Sequence, residues 1–117
     1  MKYLMTQEEF EELMKPDEPN FTAIYFGATW CGPCRRIDMA ALEAMPGVNW
    51  LKCDVDQNQY TAGYCSVRSI PSFLIMANGK ATGPLQESDT AAVMEWVSAK
   101  RNEWLQRGQS PLKVDPK

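Results

Sequence analysis

Apolar positions along this chain alternate between helical and strand-like spacing, and the changes fall at proline, glycine and asparagine. Thr6-Gln7-Glu8-Glu9 has the form of a capping box ahead of Phe10, Leu13 and Met14 at helical intervals, which predicts a first helix from Gln7 to Lys15 that stops before Pro16. After the breaker stretch Pro16–Asn20, the run Phe21-Thr22-Ala23-Ile24-Tyr25-Phe26 is apolar and rich in β-formers, as expected of a strand covered on both faces. From Gly32 onward Cys34, Ile37, Ala41, Leu42 and Met45 share one helical stripe, Arg35, Arg36 and Glu43 lie off it, and Pro46-Gly47 ends it. Strands are predicted over Val48–Cys53 and Ser72–Met76, with a short helix from Gln57 to Tyr64 between them, and Asn78-Gly79 has the composition of a two-residue hairpin turn. Ser88 is placed as N-cap of a last helix, with Asp89 in its first turn, Val93, Trp96, Val97, Trp104 and Leu105 as its apolar positions and Gly108 as its stop. With a short first strand near Tyr3–Met5, the order βαβαββα predicts an α/β fold: a central mixed β-sheet flanked by helices on both faces. The domain is expected to span 1–107, and 108–117 to be a short, polar, frayed C-terminal tail.

Composition narrows the function. At 117 residues and 44% hydrophobic content the chain can bury one core and is too short for two. A net charge of −3 with no basic cluster argues against nucleic acid as a ligand, since such binding runs on Lys and Arg displacing counterions. The beginning Met1-Lys2-Tyr3-Leu4-Met5 lacks the apolar stretch of a signal peptide, and no run is long and apolar enough to span a bilayer, so the expected location is cytoplasmic and away from membranes. Four cysteines are too few for a secreted disulfide framework and suit a reducing compartment. There is no histidine, which removes Cys–His and Ser–His nucleophile pairs. Thiol chemistry in this chain must activate its sulfur by other means.

Cys31 and Cys34 open the second predicted helix in the segment Thr29-Trp30-Cys31-Gly32-Pro33-Cys34. Residues three apart on a helix are about 5–6 Å apart, close to the Cα separation a disulfide prefers, so the pair can close with little strain. The helix start favours a Cys31 thiolate, and Arg35 and Arg36 add positive charge nearby. Pro33 suits a first helical turn, where its missing N–H is not needed, and Gly32 keeps bulk away from the attacking sulfur. Half a zinc site is the competing reading of a CxxC, but Cys53 and Cys65 are not closely spaced and no histidine assists, so no metal is expected.

Trp-Cys-Gly-Pro-Cys at a strand-to-helix junction resembles the thioredoxin family. Ser69-Ile70-Pro71-Ser72-Phe73 resembles that family's cis-proline loop, Asn78-Gly79 its hairpin, and Asp54-Val55-Asp56-Gln57-Asn58 the loop after its third strand. The likeness covers about residues 1–105. It implies a thioredoxin fold and reduction of protein disulfides: Cys31 attacks, a mixed disulfide forms, and Cys34 resolves it. It also implies no cofactor beyond the redox-active Cys31–Cys34 disulfide. The implied partners are disulfide-containing client proteins and a thioredoxin reductase or equivalent dithiol donor, with the chain acting as a monomer. Pro71 would be cis against the cysteine pair, and the Ile70 backbone would pair with an extended client segment beside Trp30, Gly32 and Pro33. An oxidase or isomerase using the same pair, or a redox-independent binding subunit, are the competing functions.

Several positions depart from the family pattern. Tyr25 stands where the family has a buried Asp, Gly27 where many members have Trp, and Met39 where a helix-kinking Pro is usual. The chain between Cys34 and Lys52 is also shorter than in bacterial thioredoxins, so the second helix is expected to be shorter and straighter. Between Gly79 and Ser88 there is less sequence than usual, and the family's substrate-facing Gly has no clear counterpart. Tyr25 and Lys52, the latter matching a lysine that accompanies the family Asp, are the proton-transfer candidates; otherwise Lys52 reads as a snorkelling strand residue. Cys53 reads as a small buried apolar residue. Cys65, six residues before Pro71, reads as either a packing residue or an oxidisable thiol, and Tyr64 as a contact aromatic near the site or as filler.

Overall fold

The computed structural model describes residues 1–109. Its five strands are β1 (Lys2–Tyr3), β2 (Phe21–Gly27), β3 (Asn49–Asp54), β4 (Ser72–Ala77) and β5 (Lys80–Gln86), in the sheet order β1-β3-β2-β4-β5. β1, β3 and β2 run parallel, whereas β4 and β5 are antiparallel additions, so the sheet is mixed as predicted. β2 is central and buried at every position, which is why its sequence shows no alternation. Four α-helices cover it: α1 (Gln7–Leu13), α2 (Met39–Glu43), α3 (Gln59–Tyr64) and α4 (Thr90–Trp104).

The two faces of β2 feed two cores. Phe21, Ala23 and Tyr25 pack with Leu42 of α2 and with Val93 and Val97 of α4. Ile24 and Phe26 pack with Phe10 of α1 and Ala62 of α3. The period of two in a strand thus sorts successive residues to opposite faces. No helix of the described residues is long and apolar enough to cross a membrane.

Local signals in the sequence account for most boundaries. Thr6 caps α1 by accepting from the Glu9 N–H at 3.1 Å, and the Glu9 carboxylate accepts in return from Met5 N at 2.7 Å, one residue before the usual partner. Asn78 and Gly79 both have positive φ, 55° and 79°, the geometry of a type I′ hairpin turn. α3 begins later than predicted because Asn58 caps it, accepting from Thr61 N. The N-cap of α4 is Asp89 rather than Ser88, with the Asp89 carboxylate accepting from Ala92 N at 3.2 Å. Beyond α4 a π-helical turn runs through Leu105–Gln109, past the predicted stop at Gly108; the expected fraying over 110–117 falls outside the described residues.

One predicted element is broken. The stripe from Cys34 to Met45 reads as one helix, but the chain forms a 3-10 turn over Pro33–Arg36, leaves helical geometry at Ile37 (ψ 123°) and Asp38 (ψ 92°), and restarts as α2. The second helix is therefore shorter, as expected, but interrupted rather than straight, although no proline is present to kink it. Asp38 caps the restart, its carboxylate accepting from Ala41 N at 3.1 Å. Its own N–H donates to Thr90 Oγ1 on α4 at 2.9 Å. A tertiary contact holds the break that the local pattern does not announce.

Candidate active site

β2 ends at Gly27 and the chain turns through Ala28-Thr29-Trp30 into the 3-10 turn, which puts the cysteine pair at the end of the central strand. Cys31 and Cys34 are disulfide-bonded with Cα atoms 5.3 Å apart. Pro33 occupies the first position of the turn. A Cβ built on Gly32 meets nothing within 4 Å, so internal packing does not require glycine here. Although Cys31 opens the turn, it is only 3% exposed, and Cys34 8%. The pair is shielded because Cys31 Sγ sits 3.7 Å from the Ile70 carbonyl oxygen. What distinguishes the two sulfurs is hydrogen bonding: Cys31 Sγ accepts from the Cys34 backbone N–H at 3.1 Å, a donor that favours the thiolate.

The Ile70–Pro71 bond is cis, and the loop lies against the disulfide as the resemblance implied. Trp30 is 64% exposed, with its Nε1 donating to the Asp56 carboxylate at 2.7 Å. Beside the disulfide lies an open groove of about 350 Å³ whose walls include Trp30, Val67, Arg68, Ser69 and Ile70. Val67, Arg68 and Asp56 went unread as site residues in the sequence; the cis-proline motif directly after Arg68 was the available signal. Tyr64 is not brought to this groove and packs edge-on against Phe10 at 5.7 Å, on the α1/α3 side.

Tyr25 and Lys52 are adjacent in the β2–β3 register. Tyr25 lies in the same buried cluster as both cysteines, stacked on Phe73 at 5.3 Å. Burial raises its phenol above the ordinary value of 10.0, so at neutral pH it can donate a proton in a hydrogen bond but cannot act as a base. Lys52 Nζ lies 5.6 Å from the Tyr25 ring centroid and 5.7 Å from that of Tyr3, so the ammonium that meets a carboxylate in the family meets two aromatic faces here. The two departures at 25 and 27 are one: a Cβ on Gly27 would stand 2.9 Å from Tyr25 Oη, leaving no room for a tryptophan.

Cys53 and Cys65 are buried free thiols in the opposite core. Burial is the main cause that pushes Cys53 up to about 12 and Cys65 up to about 11, which makes both poor nucleophiles at neutral pH. Among the described residues no group of three or more His, Cys, Asp or Glu side chains is placed to hold a metal ion.

A CxxC disulfide at the start of a helical turn, faced by a cis-proline on a five-stranded mixed sheet, defines a thiol–disulfide oxidoreductase. The family model described as Thioredoxin matches residues 2–99, and the chain belongs to the thioredoxin family. It is 32% identical over 101 residues to thioredoxin of Geodia cydonium, covering 83% of this chain and 95% of that one. It is 33% identical over 92 residues to Thioredoxin-3, mitochondrial, of Saccharomyces cerevisiae, covering 76% and 71%. The solved structure of Fasciola hepatica thioredoxin superposes with a TM-score of 0.75 at 30% identity, covering 85% of this chain and 98% of that one. The chain is accordingly a protein-disulfide reductase of the thioredoxin type, working through Cys31 and Cys34 by dithiol–disulfide exchange.

Proposed function

We propose that Cys31 is the attacking sulfur and Cys34 the resolving one. The Cys31 thiolate attacks one sulfur of a client disulfide, and the other client sulfur leaves as a thiolate that takes a proton from solvent. The Cys34 thiolate, having lost its proton, then attacks Cys31 Sγ and expels the second client sulfur. The client gains two electrons and two protons, and the Cys31–Cys34 disulfide is restored. A thioredoxin reductase or equivalent dithiol donor recharges the pair. The observation that carries these roles is the Cys34 N–H aimed at Cys31 Sγ at 3.1 Å.

Client segments bind extended along Ile70 and cis-Pro71, with Trp30, Gly32 and Pro33 as the facing surface, and the groove beside Ile70 takes an apolar side chain of the client. Tyr25 and Lys52 are the groups nearest in kind to a proton-transfer apparatus. The protein acts as a monomer in a reducing, cytoplasm-like compartment and serves as an electron carrier between its reductase and its clients. Cys31→Ser is expected to abolish insulin reduction, and Cys34→Ser to accumulate a mixed disulfide. Faster iodoacetamide labelling of Cys34 than of Cys31 in the reduced protein would reverse the assignment.

A further inference from the structure

The interruption between the 3-10 turn and α2 is held from outside. Thr90 is the first residue of α4, and its hydroxyl does two things at once: it accepts the Asp38 N–H at 2.9 Å and donates to the Arg36 carbonyl at 3.3 Å. Those are two of the backbone groups that the break at Ile37–Asp38 takes out of helical pairing. Arg36 closes the turn that carries Cys34, so a single side chain 54 residues away fixes the far end of the turn. The near end is the Cys34 N–H on Cys31 Sγ.

Because the helix is interrupted, the dipole behind Cys31 is that of one short turn rather than of a long helix. Stabilisation of a Cys31 thiolate therefore depends on how well this turn aims the Cys34 N–H. Arg35 and Arg36 are exposed on the turn; Lys52 stands against the Tyr25 ring, its Nζ 5.6 Å from the centroid, the Met1 ammonium beside the same cluster is paired with Glu43, and no Asp or Glu among the described residues is buried. We infer that Thr90 is a positioning residue for the redox pair: its clasp on Arg36 and Asp38 holds the turn in the geometry that stabilises the reduced, thiolate state. This rests on the reading of Cys31 as the attacking thiolate.

A hydrogen bond to an anionic sulfur is stronger than one to a disulfide sulfur, so loosening the turn costs the dithiol state more than the oxidised state. Thr90→Val keeps the shape and removes the hydroxyl, and Thr90→Ser keeps the hydroxyl. Each protein is equilibrated with reduced and oxidised glutathione, where protein disulfide plus two glutathione thiols gives protein dithiol plus one glutathione disulfide, and the Cys31 pKa is read from the pH dependence of alkylation. In Thr90→Val the equilibrium is expected to move toward protein disulfide by roughly 3- to 10-fold, about 15–30 mV more reducing for a two-electron couple, with a raised Cys31 pKa. Thr90→Ser is expected to restore both readings. Thr90→Val with wild-type equilibrium and wild-type Cys31 pKa, whatever its thermal stability, would overturn the inference and leave Thr90 as a stabilising contact only. Failure of the wild-type protein to exchange with glutathione would count against the exchange reading itself, while the alkylation pKa still decides the role of Thr90.

Discussion

Replacing Tyr25 by aspartate is expected to exchange stability for speed. Tyr25 is 3% exposed, stacks on Phe73 at 5.3 Å and lies in register with Lys52. Truncating a core aromatic costs about 3–5 kcal/mol, including about 0.5–1.5 kcal/mol for a stacked pair. Against the usual domain stability of about 5–15 kcal/mol, the variant remains folded but melts markedly earlier. The gain lies in resolution. The buried phenol cannot take the Cys34 proton at neutral pH, and no Asp or Glu among the described residues is buried, so in the wild type this proton is expected to go to solvent or to Lys52. Resolution should then rise about tenfold per pH unit toward the ordinary thiol value of 9.0. A carboxylate at position 25, with Lys52 beside it, restores a base and should speed resolution at pH 7 by about 100-fold, the lower end of general acid–base effects. The assay is pre-steady-state reduction of a disulfide joining two different peptides. The first peptide thiol appears on attack and the second on resolution, each followed against pH. Tyr25→Phe should alter the second step only a few-fold. A loss of about 100-fold in Tyr25→Phe, with the fold intact by circular dichroism, would refute the argument and make the phenol the proton carrier.

Mild peroxide should oxidise Cys31 and Cys34 to their disulfide and leave Cys65 unmodified by mass spectrometry, because Cys65 is 8% exposed and its thiol is pushed up to about 11; a sulfenic acid or intermolecular dimer at Cys65 would contradict this. The folded state holds the Cys53 and Cys65 protons to higher pH than the unfolded chain, so stability should be flat below the ordinary thiol value of 9.0 and fall as pH climbs from there through about 11 and about 12. Urea unfolding of the wild type and of Cys53→Ala across pH 8–11 checks this, the variant losing less at the alkaline end. Gly27→Ala should destabilise by about 1–3 kcal/mol through overpacking against Tyr25 Oη, and less so in a Tyr25→Phe background; an undiminished cost there would show that the hydroxyl is not what the new methyl meets.

The elements and the reactive pair were legible because their signals are local. Thr6 and Glu9, Asn78 and Gly79, and the unbroken apolar run of β2 each carry their own structural instruction, and the two cysteines sit three apart with no histidine to complete a metal site. The break at Ile37–Asp38 was not legible, since Cys34, Ile37, Leu42 and Met45 keep helical spacing straight through it and the group that holds it, Thr90, lies 52 residues from Asp38. The neighbouring cappers Ser88 and Asp89 are equivalent by composition, and the folded chain uses Asp89. A second cis-proline, at Gly83–Pro84, also escaped the sequence, which offers no local mark to separate it from the trans form. Burial of Cys31 under the Ile70 carbonyl is a contact between residues 39 apart, beyond the reach of any pattern around the cysteines themselves.

The central sheet has a chemical consequence of its own. Cys31 and Cys34 belong to the core on its α2/α4 side, and Cys53 and Cys65 to the core on the other. Four cysteines admit three complete pairings, and the two that would mix these sets require a bond through a fully hydrogen-bonded wall of backbone. Thiol shuffling between the faces is therefore barred without unfolding. Repeated cycles of oxidation and reduction return the same single species, each turn moving two electrons, while the thiols behind the sheet remain spectators.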